Sequence, residues 1–162
     1  MLASGVVLGL AAGLAVRRSW RPLLQTQFRW LPVLIGSLVL RVIASMVGEA
    51  GYPLYLTAVA GTSAAALVNY RLAGAAIVAL GGCLNLIVVL VNHGMPVDPA
   101  AVAMVGAQMP RDSLHVALGA STLLAVLADV IPVAIVRSVY SVGDVFIAFG
   151  GFVVPFSILA RR

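Results

Sequence analysis

Long apolar runs constrain the fold of this sequence more than any other feature. Five of them extend over residues 1–16, 30–48, 53–68, 72–91 and 143–160, and segments containing Arg, Gly or Pro separate them. Runs of this length with so few charges are typical of helices that cross a lipid bilayer. The chain is 62% hydrophobic and 9% charged, with a mean hydropathy of +1.13, whereas soluble domains have about 25% charged residues. The sequence therefore excludes a soluble globule and predicts an all-α, polytopic transmembrane helix bundle in a single domain, residues 1–162.

The stretch between the fourth and fifth runs, residues 92–142, has a mixed composition. Gly94, Pro96 and Pro99 break the preceding helix, so an outer loop is expected to begin at this point. Residues 113–136 are apolar and long enough to cross the membrane, but they contain two titratable residues and a proline. We expect five spans, with residues 113–128 forming a re-entrant or interfacial helix on the outer side. A sixth span at 113–136 is the alternative.

The basic residues indicate the orientation of the spans. All ten are arginines, and most lie at the ends of apolar runs, which is typical of a topology signal and gives no reason to expect a nucleic-acid partner. Five spans with the N-terminus outside and the C-terminus in the cytoplasm place most of them inside, namely Arg17, Arg18, Arg21, Arg29, Arg71, Arg161 and Arg162. Six spans would move Arg137 inside but Arg161 and Arg162 outside, so the positive-inside rule favours five.

Arg41 interrupts the second apolar run. It lies about eleven residues along that run, roughly 16 Å at 1.5 Å per residue, and is expected near the middle of the bilayer. An arginine at this depth costs at least ~2.5–3.5 kcal/mol, so it needs an acceptor. The candidates are Asp144, Asp129 and Glu49, and Asp144 is preferred because Ser141-Val142-Gly143-Asp144 predicts a capped helix start. Arg41 then belongs either to an anion site or gate, or to a structural ion pair.

A polar stripe is expected within residues 113–129. In a helix, His115, Thr122 and Asp129 would share one face, which could bind a ligand or pass protons. Hydrogen bonding to the neighbouring loop is the structural alternative. No catalytic signature, metal-ligand spacing or cofactor motif accompanies these residues. We therefore assign no catalytic residue, metal or cofactor, and do not expect an enzyme.

Three glycines repeat at every fourth position of the first run, at Gly5, Gly9 and Gly13. This spacing removes side chains from one stripe of the helix and favours close contact with another helix. A matching face of small residues lies on the third run, at Ala58, Thr62 and Ala66. A helix of another chain is the alternative partner.

Several segments of the second half resemble a known family. They are residues 85–96, ending in Asn92-His93-Gly94-Met95-Pro96, residues 115–132, and Ser141-Val142-Gly143-Asp144. These segments are similar to a bacterial family of small multi-pass membrane proteins that is a domain of unknown function, in which a small residue, often Gly, is expected at the position of His93. The resemblance implies the bacterial inner membrane and no reaction. It also implies an outer-side site, with the residues Asn92, Met95, Pro96, His115, Thr122, Asp129 and Asp144.

Three classes of function remain open. The glycine stripe and the scarcity of extramembrane sequence favour a structural or accessory subunit of a larger membrane complex, with a lipid or small-ligand site on the outer side. Its partners would be membrane lipids and other membrane proteins or further copies of the chain. A small channel or transporter is the alternative, which internal repeats would favour. An intramembrane lipid-processing enzyme is the third, which a carboxylate with a strongly shifted pKa would favour.

Overall fold

A computed structural model describes residues 1–161, apart from the side chain of Glu49. The described residues form the helices α1 (Leu2–Arg17), α2 (Arg21–Gln25), α3 (Leu31–Ala44), α4 (Gly51–Val68), α5 (Ala75–Asn92), α6 (Pro99–Met104) and α7 (Val142–Ala160). They also form four short strands, β1 (Met95–Val97), β2 (His115–Ala117), β3 (Ile131–Val133) and β4 (Ser138–Tyr140). Short 3-10 turns lie at Gly48–Ala50, Ala125–Leu127 and Ala134–Val136.

Three helices, α4, α5 and α7, are long and apolar enough to cross a membrane. The apolar helices α1 and α3 are shorter, with 16 and 14 residues. The prediction of a mostly helical protein with membrane-compatible helices is therefore confirmed. The second predicted span, 30–48, is longer than the helix it corresponds to, because α3 ends at Ala44 and a turn with φ of +61° at Gly48 follows.

The five apolar helices pack in the order α1, α7, α5, α4, α3. Helix α7 lies between α1 and α5, and α4 lies between α5 and α3. Helix α4 contacts α5 at Ser63–Gly82 and Tyr52–Val89, and α3 at Gly51–Ala44 and Gly61–Ser37, so it runs antiparallel to both of its neighbours. The third and fourth apolar runs thus form a helical hairpin, α4 and α5.

The glycine stripe of α1 lies against α7. A Cβ atom on Gly5 would overlap the carbonyl oxygen of Ala148, and one on Gly9 would overlap that of Phe152. These contacts advance together along both helices, so α1 and α7 are parallel. The expected partner, the small face of the third run, was wrong, because α1 packs on α7 whereas α4 packs on α3 and α5.

The alternating directions of the helices give the bundle two different ends. One, which we call the arginine end, carries the six arginines Arg17, Arg18, Arg21, Arg29, Arg71 and Arg161. The other carries the segment 93–141, which we call the cap. The buried side chains of Val88, Val89, Met95 and Leu114 form a core that joins the cap to α4 and α5.

The predicted fold was wrong in one part of the cap. Every residue of 113–136 is described and none is in an α-helix, so neither the re-entrant helix over 113–128 nor a sixth helical span is present. Strand β1 pairs in parallel with β2, Met95 opposite His115, and Leu114 and Leu118 contribute flanking backbone hydrogen bonds at 2.7 and 2.9 Å. Because these backbone groups bond to β1, they are not available for helical hydrogen bonds. Leu124, with φ of 54°, also departs from helical geometry.

Candidate functional site

The end of the bundle beside the cap holds a network of polar side chains. The Ser141 hydroxyl, fully buried, donates to Asn85 Oδ1 at 2.9 Å, and Asn85 Nδ2 donates to Asp144 Oδ1 at 3.2 Å. Ser141 and Asp144 also form a reciprocal capping box at the start of α7, which confirms the predicted capped helix start. Asn85 therefore connects the middle of α5 to the first turn of α7.

Arg41 does not occupy the position predicted for it. It lies in the last turn of α3, three residues before the helix ends, and its side chain is exposed. Its guanidinium carbon is 5.1 Å from the centroid of the buried Tyr55 ring, a cation–π geometry. The predicted span 30–48 would have Arg41 near its middle, whereas the helix ends at Ala44 although the apolar run continues.

The predicted ion pair of Arg41 with Asp144 or Asp129 is also not formed. Among the described residues, the one acid–base contact within 4 Å joins Asp112 and His115, at 2.7 Å. Asp144 is already bonded to Asn85 and to the backbone of Ser141. The third candidate, Glu49, lies outside the described side chains.

Asp129 is the most unusual acid in the protein. Its side chain is 8% exposed, and its Oδ1 atom has no hydrogen-bond partner among the described residues. Its backbone is fixed between two parts of the cap, donating to the carbonyl of Pro96 at 2.8 Å and accepting from the N–H of Asp98 at 3.0 Å. Burial and the nearby charge of Asp144 raise the pKa of Asp129 to about 7, although Arg41 opposes this shift. Asp129 can thus hold or release a proton near neutral pH.

Three other predicted site residues have structural contacts. Asn92 bonds to both backbone polar groups of Leu123, at 2.8 and 2.9 Å, while Met95 and Pro96 are buried in β1. The neighbouring His93 has φ of 55°, a left-handed conformation that favours glycine. This agrees with the expectation of a small residue at that position.

His115 and Thr122 are not joined to Asp129 in one polar stripe. His115 Nδ1 lies 2.7 Å from Asp112 Oδ1, and Thr122 Oγ1 accepts the backbone N–H of Gly119 at 2.9 Å. The stripe required a helix, and this segment is a strand followed by turns. The relay between His115 and Asp129 along a helix face therefore has no structural basis.

Sequence reasoning missed a cavity of about 520 Å³ in the bundle, which we call the trough. Helices α1, α3, α4, α5 and α7 all contribute to its wall, together with Leu23 and Phe28. Side chains that line it include Leu10, Leu38, Ala66, Val78 and Val154. Its apolar residues looked like ordinary span residues in the sequence, because no local pattern shows that α1 and α3 stand on opposite sides of one space.

A smaller cavity of about 320 Å³ lies at the arginine end, and we call it the arginine cavity. The ends of α1 and α7 and the short helix α2 form its wall. The residues lining it are Arg17, Pro22, Gln25, Thr26, Leu72, Ile158 and Arg161. Leu72 also lines the trough, so the two cavities are neighbours.

A protein-family model matches residues 25–156 and is described as a family of unknown function, DUF5317. The chain belongs to this family. The DUF5317 match begins at the last residue of α2 and includes α3, α4, α5, the cap and most of α7, so it contains every predicted polar site residue, from Arg41 to Asp144. The resemblance to an uncharacterised family is confirmed by this match. No curated protein and no solved structure matches the chain.

Proposed function

We propose that this protein is an accessory subunit of a larger assembly in the bacterial cell membrane, and that it holds a lipid in the trough. The observation that carries the proposal is the trough itself, an apolar cavity of about 520 Å³ to which all five apolar helices contribute. Its volume is within the roughly 300–1,000 Å³ typical of small-molecule sites. A lipid tail suits this cavity because its wall consists almost entirely of apolar side chains.

The proposed topology has five spans, with the N-terminus outside and the C-terminus in the cytoplasm. The alternating directions of α1, α3, α4, α5 and α7 support it, as does the concentration of arginines at one end. The arginine end would face the cytoplasm and the cap would face outward. Helix α3 is only about 21 Å long at 1.5 Å per residue, against a hydrocarbon core of about 30 Å. Because α3 is shorter than the hydrocarbon core, it does not cover the whole apolar side of the bundle. A lipid beside α3 would cover the rest.

The accessory role is supported by apolar side chains that project from the cap. Ile135 is 96% exposed, and Met104 and Val126 are also largely exposed. None of the three belongs to a long helix that could lie in the membrane. Exposed apolar surface outside the spans is typical of contact sites with other proteins. The proposed partner is another membrane protein or a second copy of this chain, bound through the cap.

The lipid-binding part is tested by native mass spectrometry of the protein released from nanodiscs. The variant Ala66→Phe places a bulky ring in the trough, whereas Ala60→Phe makes the same change at an exposed position of the same helix that does not line it. The wild type and Ala60→Phe should retain lipid, and Ala66→Phe should retain markedly less. Equal retention by a folded Ala66→Phe protein would contradict the proposal. Solute flux through liposomes holding the purified protein would support the transporter alternative instead.

A further inference from the structure

The arginine cavity presents positive charge that the described protein does not neutralise. Arg17 and Arg161 both line it, and neither has an acidic partner within 4 Å among the described residues. All five acidic residues of the chain lie between residues 49 and 144, in or beside the cap, and thus at the opposite end of the bundle. Two like charges beside one cavity repel each other, so an anion between them would stabilise the arrangement.

The other polar side chains of the arginine cavity are neutral. Gln25 offers an amide, which can donate a hydrogen bond, while the hydroxyl of Thr26 already donates to the carbonyl of Pro22 at 2.8 Å. The donors facing the cavity are therefore mainly the two guanidinium groups. Planar guanidinium groups form paired hydrogen bonds with the oxygens of phosphates and carboxylates, and phosphate is the anionic group common to membrane phospholipids.

The arginine cavity lies beside the trough, and this position indicates which kind of phosphate compound it would bind. Leu72 lies in the wall of both cavities, so a charged head in the arginine cavity would lie one side chain away from the trough, which suits a long apolar tail. A free phosphate ion would use only the polar part. An anionic phospholipid would use both, with its head at the level expected for the cytoplasmic lipid headgroups.

We propose that Arg17 and Arg161 bind the phosphate of an anionic phospholipid whose tail lies in the trough. This inference rests on the proposed lipid-binding function and adds the headgroup class and the residues that select it. Each arginine near a membrane surface contributes about 1 kcal/mol toward an anionic lipid, so two correspond to a preference of roughly tenfold to thirtyfold.

The test compares two lipids that differ in headgroup charge. Protein is reconstituted in nanodiscs with equal amounts of phosphatidylglycerol and phosphatidylcholine carrying the same acyl chains, and the lipids that remain bound are counted by native mass spectrometry. Wild type should retain phosphatidylglycerol in clear excess. The variant Arg17→Gln, Arg161→Gln should still retain lipid, but in the one-to-one ratio of the disc.

A matched control removes the same charge from the same end of the bundle. Arg18 and Arg71 lie at the arginine end but do not line the cavity, so Arg18→Gln, Arg71→Gln should keep the wild-type preference. Loss of preference in this control to the same degree would show a general charge effect and overturn the inference. So would a preference that persists in Arg17→Gln, Arg161→Gln. Thermal unfolding of each variant checks that the fold is retained.

The readouts separate this inference from the proposed function. Bound lipid in the wild type with a one-to-one headgroup ratio would overturn the inference and leave lipid binding in place. No bound lipid of either kind would overturn both. Binding of inorganic phosphate by lipid-free protein, dependent on Arg17 and Arg161 and accompanied by no lipid preference, would assign the cavity to the free ion and contradict the lipid proposal.

Discussion

The side chain of Asn92 holds the backbone of Leu123 by two hydrogen bonds, donating to its carbonyl at 2.9 Å and accepting from its N–H at 2.8 Å. Asn92 thus forms with Leu123 the two hydrogen bonds that a neighbouring β-strand would otherwise form. The same arrangement occurs at the other end of the bundle, where Asn69 bonds to both backbone groups of Arg29 at 2.6 and 2.9 Å. Each asparagine follows or ends a long helix and fixes a distant loop to it.

Replacing Asn92 should loosen the cap. Asn92→Ala removes both bonds to Leu123, which we expect to cost about 1–2 kcal/mol at roughly 1 kcal/mol per bond. Asn92→Asp keeps an acceptor for the N–H of Leu123 but places its second oxygen against the carbonyls of Val88 and Leu123, so it should not restore the wild-type stability. Hydrogen exchange at the Leu123 amide measures the effect directly. Unchanged protection in Asn92→Ala would show that other contacts hold this loop.

Because α1 packs closely on α7, we expect alanine substitution to affect stability very differently at two glycines. Gly9→Ala would place a methyl group against the carbonyl of Phe152, and overpacking of this kind costs typically about 1–3 kcal/mol. Gly36→Ala adds the same group on α3, where no atom lies within 4 Å, and should be neutral or slightly stabilising. Thermal unfolding in a mild detergent compares the two. The prediction fails if Gly9→Ala unfolds at the wild-type temperature.

Asp129 should make stability depend on pH. Its pKa is raised from 3.8 to about 7 in the folded protein, so the folded state keeps a proton that the unfolded state loses. Stability should be highest below about pH 4, decrease as the pH rises to about 7, and remain level above that. Asp129→Asn should flatten this decrease, whereas Asp112→Asn, which alters an exposed carboxylate, should retain it. Unfolding midpoints measured from pH 4 to 8 give the comparison.

The cap surface should be required for assembly. Ile135→Asp places a charge on the most exposed apolar side chain of the cap, and we expect it to release the proposed partner. Leu24→Asp makes the same change at an exposed position of the arginine end and should leave the assembly intact. Native gel electrophoresis after mild solubilisation reports the size of the complex. A wild-type protein that migrates as a single chain would contradict the accessory role.

Cysteine labelling tests the proposed topology. With Cys83 replaced by Ala, a cysteine at Ala120 in the cap should react with an impermeant reagent applied to intact cells, because this residue is exposed. A cysteine at Arg161 should react only after the membrane is permeabilised. Labelling of position 161 in intact cells would reverse the proposed orientation.

The sequence predicted the apolar helices because each is a local run of hydrophobic residues. It did not predict the conformation of residues 113–128, because an apolar run of this kind does not by itself distinguish a helix from buried strand and turn. The strand conformation at His115 depends on pairing with the distant strand β1, in which Met95 lies opposite His115. The end of α3 near Arg41 could not be predicted either, because the hydrophobic pattern continues through Val47.

The candidate site could be predicted only in part. Asp144 was identified as a capping acid because the helix start is a local pattern. The contacts of Arg41 with Tyr55 and of Asn85 with Ser141 join residues from different helices, and nothing in the spacing along the chain indicates them. The trough was missed for the same reason, because it depends on the order in which the helices pack.

The contact between α1 and α7 also determines when the bundle can close during synthesis. Helices α4 and α5 can each pack on the preceding helix as soon as they are made, because α3, α4 and α5 are neighbours in chain order. Helix α1 is made first, but the helix against which its glycines pack is made only after the cap. The wall of the trough is therefore complete only when α7 has been made, since Gly151, Val154 and Pro155 belong to it. A lipid can occupy the complete trough only after most of the chain has been inserted.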